Sequence, residues 1–258
     1  MDLTLTLVIM FLVPLLVVLI PIMIGERYGQ YQARKLRAAD AVSVGSVVTA
    51  ALGLLAFILA FTFQMASNRY DNRKQLLVQE VDHIRTAFLR SGLIHEPIRS
   101  KTKELLIEYV NLRVDLVFDP SKIGYSYTRS EQILDSCWRF AETLAKEDRS
   151  SEVYALYTSS INDLYSSYNE RLTVVMEFRI PKVVFWILGI ITVLSMLALG
   201  YQFGISGKGN FNFNLLLAII FAVVMLLIMV LDHPETGLVK VSQQPMIKLQ
   251  KELTGAGR

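Results

Sequence analysis

Four stretches of the chain, Leu3 to Ile24, Ala41 to Ala66, Val183 to Ile205 and Phe213 to Leu231, contain no Asp, Glu, Lys, Arg or His. A bilayer core about 30 Å thick needs roughly 20 apolar residues per helical crossing, and each run meets that requirement. Inside lipid the backbone must satisfy its own hydrogen bonds, so single segments of this length cross as helices. With 53% hydrophobic and 19% charged residues and a mean hydropathy of +0.41, the chain reads as an all-α integral membrane protein with four transmembrane helices. The first run follows Asp2 instead of a basic segment and lacks a small-residue cleavage site, so it is expected to be a retained span. Pro14 and Pro21 lie inside it and predict a kinked helix packed against protein.

The spans form two pairs, one joined by residues 25–40 and the other by the glycine-rich turn at 206–212. The expected organisation is spans one and two over 1–66, a helical region over 67–182, spans three and four over 183–231, and a C-terminal segment over 232–258. An even number of spans puts the helical region and both termini on one side of the membrane. Arg69, Arg73, Lys74, Arg85, Arg171, Arg179, Lys182, Lys240, Lys248 and Lys251 flank the spans on that side. Arg27, Arg34, Lys35, Arg37 and Lys208 lie opposite, with Arg34, Lys35 and Arg37 clustered in a short loop as the counterweight, and the balance predicts cytoplasmic termini.

Between the pairs, apolar residues recur at steps of three and four: Leu77, Val81, Ile84, Phe88; Leu105, Tyr109, Leu112, Leu116; Leu134, Cys137, Ala141, Leu144; and Ile161, Leu164, Tyr168, Val175. This period predicts about four amphipathic helices. Pro97, the turn from Asp119-Pro120 to Gly124, and Asp148 to Ser151 separate them, with Ser130 or Thr128 as N-cap. Hydrophobicity does not break near Tyr70, so span two is expected to continue as one rod into the Leu77–Phe88 segment. The last of these helices is expected to run into span three, kinked at Pro181.

A formal charge of +3 gives no strong basic field, and no nucleic-acid motif is present. The single cysteine, Cys137, excludes an intramolecular disulfide, and His83, His95 and His233 lack metal-ligand spacing. There is no phosphate loop and no nucleophile in a recognisable setting, so neither catalysis nor a cofactor is expected. Proton-coupled transport usually places an ionisable residue within a span, and these spans have none. A pore lined by apolar and weakly polar groups stays open, because an apolar constriction gates ions by dewetting.

The second span carries the candidate. Thr49, Gly53, Phe57 and Phe61 recur every four residues on one helical face, and Gln64 and Asn68 continue the stripe to the Arg69-Tyr70 pair. Periodicity alone favours helix packing or lipid contact for the phenylalanines. It also favours an interfacial anchor role for Arg69-Tyr70, like that of Tyr28, Tyr31, Trp186 and Tyr201. Ala56 and Ala60 form a small-xxx-small pair suited to close helix approach.

The segment Phe57-Ile-Leu-Ala-Phe61 followed by Arg69-Tyr70 resembles the pore helix of bestrophin-like membrane proteins of bacteria, distant relatives of the bestrophin anion channels. A second segment, Leu231-Asp-His-Pro234-Glu-Thr-Gly237 with Val241-Ser and Pro245, looks like the stretch after that family's last span. The resemblance implies a homo-oligomer, expected to be a pentamer, in the bacterial inner membrane. Small ions would pass a neck of Phe57 and Phe61, with Arg69 and Tyr70 just below. Gly53 stands where bestrophins carry a bulky aliphatic neck residue, and no acidic run after Gly237 matches the animal calcium clasp. The rival expectation is a non-conducting scaffold whose helical region recruits a cytosolic partner.

Overall fold

A computed structural model of the chain describes residues 3–33, 38–176, 180–233 and 239–255. Its elements are all helical: α1 (Leu3–Ala33), α2 (Ala38–Ser91), α3 (Ile98–Phe118), a 3₁₀ turn (Pro120–Lys122), α4 (Ile123–Glu147), α5 (Glu152–Met176), α6 (Lys182–Ser206), α7 (Phe211–Asp232) and α8 (Gln244–Gly255). Four helices, α1, α2, α6 and α7, are long and apolar enough to cross a membrane. The chain divides into a membrane unit, Met1–Tyr70 with Arg179–Lys240, and a polar unit, Asp71–Phe178 with Val241–Arg258.

In the membrane unit the apolar side chains mostly point outward, as lipid allows. Leu12, Leu16 and Ile20 of α1, Trp186, Ile190 and Leu194 of α6, and Phe213 and Leu216 of α7 are all exposed. What faces inward is often small. Gly25 and Gly29 of α1 meet Gly200 and Gly204 of α6 so closely that a Cβ on Gly200 would lie 2.1 Å from the Ile22 carbonyl oxygen. A Cβ on Gly204 would lie 2.2 Å from the Glu26 carbonyl oxygen. Two Gly-xxx-Gly ridges thus interlock, bringing the backbones into the dispersion contact that replaces the hydrophobic effect inside a bilayer. The close approach expected of Ala56 and Ala60 is not made among the described residues, where both are exposed.

The same glycines explain why α1 continues to Ala33 where the sequence suggests a loop from residue 25. Their lack of side chain costs helix propensity, but the close contact with α6 offsets it. Pro14 and Pro21 lie inside α1 and are buried. Between α6 and α7 the glycine-rich turn behaves as expected. Gly207 takes the left-handed φ of +65° that ends α6, and the Asn210 side chain accepts the Asn212 N–H at 2.9 Å to start α7.

The polar unit has an aliphatic and aromatic core. Leu77, Val81, Ile84, Leu106, Tyr109, Leu134, Cys137, Leu144, Tyr157, Ile161 and Leu164 are all buried in it. The three-and-four periodicity of the sequence finds this core on all four helices, although Leu105 and Leu116 prove only partly buried, and Leu106 and Val110 lie deeper. The side chain of Val175 lies outside the described residues. Burial in this core pushes the Cys137 thiol up to about 12, so the thiol stays protonated.

Three further features differ from expectation. α4 starts at Ile123, so Ser130 is buried mid-helix and neither it nor Thr128 is a cap; the Thr128 hydroxyl donates instead to the Gly124 carbonyl at 3.2 Å. Pro181 is the residue before α6, not a kink within a continuous helix, because a residue without an N–H fits a helix start better than its interior. The C-terminal segment forms α8, whose Met246, Leu249 and Leu253 enter the polar core. Span two does continue as one helix, α2, which reaches Ser91.

Candidate functional site

α2 has two unlike faces within the membrane unit. On one, Val48, Leu55, Thr62 and Ala66 are buried, with Val48, Leu55 and Ala66 in a cluster with Val18 and Ile22 of α1, Leu188 and Met196 of α6, and Phe221 and Ile228 of α7. Thr62 satisfies its hydroxyl locally by donating to the Ile58 carbonyl at 2.8 Å. The Ser195 hydroxyl of α6 donates to the Ala51 carbonyl at 3.4 Å, which adds a polar tie to α2.

On the other face, Thr49, Gly53, Phe57, Phe61, Gln64 and Asn68 are all exposed. Phe57 is 70% and Phe61 59% exposed, although these are among the largest apolar side chains of the helix. A Cβ on Gly53 would meet nothing within 4 Å, so this glycine is not there for close packing inside the chain. The Gln64 amide nitrogen donates to Asn68 Oδ1 at 2.6 Å, and Thr49 donates to the Gly45 carbonyl at 3.0 Å. The stripe therefore runs from Thr49 to Asn68 as a single unpartnered face, apolar in the middle and amide-bearing at one end.

Arg69 leaves this stripe. At about 100° per residue it lies some 80° round the helix from Phe61, and its Nε is 3.8 Å from Asp232 Oδ1. Asp232 ends α7 with a side chain only 1% exposed, and the same Oδ1 accepts the Ile180 N–H at 3.1 Å. Asp232 belongs to the second resembling segment but draws no role from the sequence, because it stands one residue beyond an uncharged run, at what looks like the water boundary. Tyr70 is partly buried. Of the second resembling segment, Pro234 to Gly237 lie outside the described residues. Among the expected belt aromatics, Tyr28 and Tyr201 stack with ring centroids 5.6 Å apart, while Tyr31 and Trp186 are exposed.

The polar unit holds a second buried polar constellation. Glu80 of α2 is fully buried; its Oε1 accepts from the Tyr109 hydroxyl at 2.5 Å and from Arg113 Nε at 3.1 Å, and Arg171 donates to Oε2. The Arg113 guanidinium also lies 5.1–5.5 Å from the ring centroids of Tyr109, Tyr127 and Tyr168. Burial raises the Tyr109 phenol far above its ordinary range. The three histidines are dispersed: His95 bonds Glu147, His233 neighbours Asp232, and His83 lines a shallow surface hollow with Asp71, Lys74 and Asp82. Among the described residues no group of His, Cys, Asp and Glu could hold a metal ion.

The profile of the Bestrophin-like domain matches residues 15–246, which is most of the chain. The protein belongs to the Bestrophin-like family. Solved structures share its fold at low identity. A mutant bacterial Bestrophin homologue from Klebsiella pneumoniae superposes with a TM-score of 0.63 at 15% identity, covering 98% of this chain and all of the other. Another mutant of that homologue gives 0.61 at 14%, covering 95% and 99%. A structure described only as a membrane protein gives 0.65 at 14%, covering 96% and 98%. No curated protein matches the chain.

Proposed function

We propose that this protein is a homo-oligomeric ion channel, a pentamer, in which the exposed stripe of α2 lines the conduction path. One observation carries the reading: α2 packs Val48, Leu55 and Ala66 inward while Gly53, Phe57 and Phe61 stay exposed among the described residues. A closed ring of copies would give that face a common axis. Phe57 and Phe61 then form an apolar neck that small ions cross when it is wide enough to hydrate, and a change in its width is the gate. Gly53 leaves the first neck position open, and Gln64 and Asn68 offer carboxamides beyond the phenylalanines. Arg69, turned toward Asp232, contributes little charge to this path. The membrane is the bacterial inner membrane, with both termini cytoplasmic.

The membership in the Bestrophin-like family and the shared fold support the reading. The purified protein in liposomes is expected to pass small ions, and Phe57→Ala with Phe61→Ala to raise the flux several-fold by removing the apolar barrier. No flux from the wild type, and no leak from the double variant, would sink the channel. A monomer or dimer in mild detergent would favour a scaffold that recruits a cytosolic partner.

A further inference from the structure

Asp232 is an unusual residue for the place it holds. It stands in the last turn of α7, where the helix dipole disfavours an anion, and its side chain is almost wholly removed from water. A buried carboxylate at such a position is stable only if other elements supply its hydrogen bonds and countercharge. They do. The Ile180 N–H donates to Oδ1 at 3.1 Å, just before α6 begins, where an anion is favoured by the start of that helix. Arg69 of α2 brings its guanidinium to 3.8 Å from the same oxygen, while the neighbouring His233 directs Nδ1 to the Met229 carbonyl at 3.1 Å. One carboxylate therefore ties the end of α7, the entry of α6 and the side of α2.

We infer that Asp232 is a positioning residue for the α2 stripe, holding Arg69 so that the angle of α2, and with it the width set by Phe57 and Phe61, is fixed from one side. The inference rests on the channel reading above. Arg69 lies eight residues beyond Phe61, about 12 Å along a helix that is unbroken between them, so a tilt at Arg69 is transmitted to the stripe. Because Arg69 points away from the stripe, releasing it changes geometry without placing a new charge beside passing ions. The tie is also adjustable. Arg69 is 24% exposed, and its distance to Asp232 exceeds a direct hydrogen bond, so the ion pair can tighten or loosen while the Ile180 bond keeps the carboxylate in place.

The test is single-channel recording in planar bilayers on wild type, Asp232→Asn, Arg69→Gln, Arg69→Lys and the Asp232→Asn/Arg69→Gln pair. Asp232→Asn keeps an acceptor for Ile180 and removes the charge. Arg69→Gln is the milder change, since it alters a partly exposed side chain. Both are expected to shift the open fraction several-fold in the same direction while leaving the current through each open channel unchanged. The double variant is expected to shift no further than either single one, and Arg69→Lys to restore most of the wild-type open fraction. A conducting wild type whose open fraction is unmoved by both single variants, or shifts that simply multiply in the double variant, would overturn the positioning role and leave the channel standing. A wild type that carries no current overturns the channel, and the inference with it.

Discussion

The membrane unit and the polar unit solve the same packing problem with opposite materials. In the membrane unit many of the large apolar residues are outside and two helices meet backbone on backbone, Gly25 and Gly29 against Gly200 and Gly204. In the polar unit Leu, Ile and Tyr fill the centre, and a fully buried Glu80 is enclosed among them, paired with the buried Arg113 and the partly exposed Arg171. Lipid offers no gain for hiding a leucine, so membrane helices associate through close dispersion contact and a few polar ties. Water supplies the hydrophobic drive for the polar unit, large enough to carry the desolvation of a charged network.

The strongest way to break this contrast is to remove the network's anion. Glu80→Ala leaves Arg113, itself buried, and Arg171 without their shared carboxylate, and is expected to cost about 3–5 kcal/mol. The loss would appear as a large drop in the thermal midpoint of the detergent-solubilised protein. A change below about 1 kcal/mol would mean that water enters and solvates the arginines, and that the core is less dry than its burial implies.

A matched pair of glycines tests the other half. Gly200→Ala puts a methyl against the Ile22 carbonyl and must push α1 from α6, an overpacking expected to cost about 1–3 kcal/mol. Gly189 lies on the same helix with nothing within 4 Å of an added Cβ, so Gly189→Ala is expected to be neutral or stabilising by up to about 1 kcal/mol through helix propensity. Equal midpoints for the two variants would show that the interlocked ridges do not hold the unit together.

The same contrast explains what could be read from the sequence. The spans are legible because a run without charge has few other uses, and the polar helices because their buried faces keep a strict period, as at Leu134, Cys137, Ala141 and Leu144. The stripe of α2 is legible as a face, yet its exposure appears only when the opposite face is seen packed. Gly25, Gly29, Gly200 and Gly204 carry a visible four-residue spacing, but spacing alone does not pair one helix with another. Ala56 and Ala60 show the same spacing and are exposed, meeting nothing equivalent among the described residues. Asp232 and Glu80 are harder still, because what makes each special is a set of partners distant in sequence, whereas neighbouring residues give an ordinary charged helix end or face. α8 is partly legible, through Met246, Leu249 and Leu253, but twelve residues are a short window for a period.

The smallest effect sharpens the comparison at the water-exposed rim of the polar unit. His95 donates from Nδ1 to the Glu96 carbonyl at 2.8 Å and, when protonated, from Nε2 to the Glu147 carboxylate at 2.8 Å. The Glu96 bond first, then the Glu147 bond, raise its affinity for a proton above the ordinary imidazole value, against a smaller opposing effect of burial and of Arg99. The sign follows: the folded protein binds the proton more tightly than the unfolded chain, so this stabilisation is complete below about pH 6.5 and fades as pH rises through the raised folded value. Because the pair is exposed, salt screens it, and the slope should be slight. His95→Gln is expected to flatten the thermal midpoint between pH 6 and 8 at low salt by a small amount, and to change nothing at high salt. A wild-type midpoint that rises with pH across that window, with the rise lost in His95→Gln, would reverse the assignment and point to an imidazole held neutral in the fold.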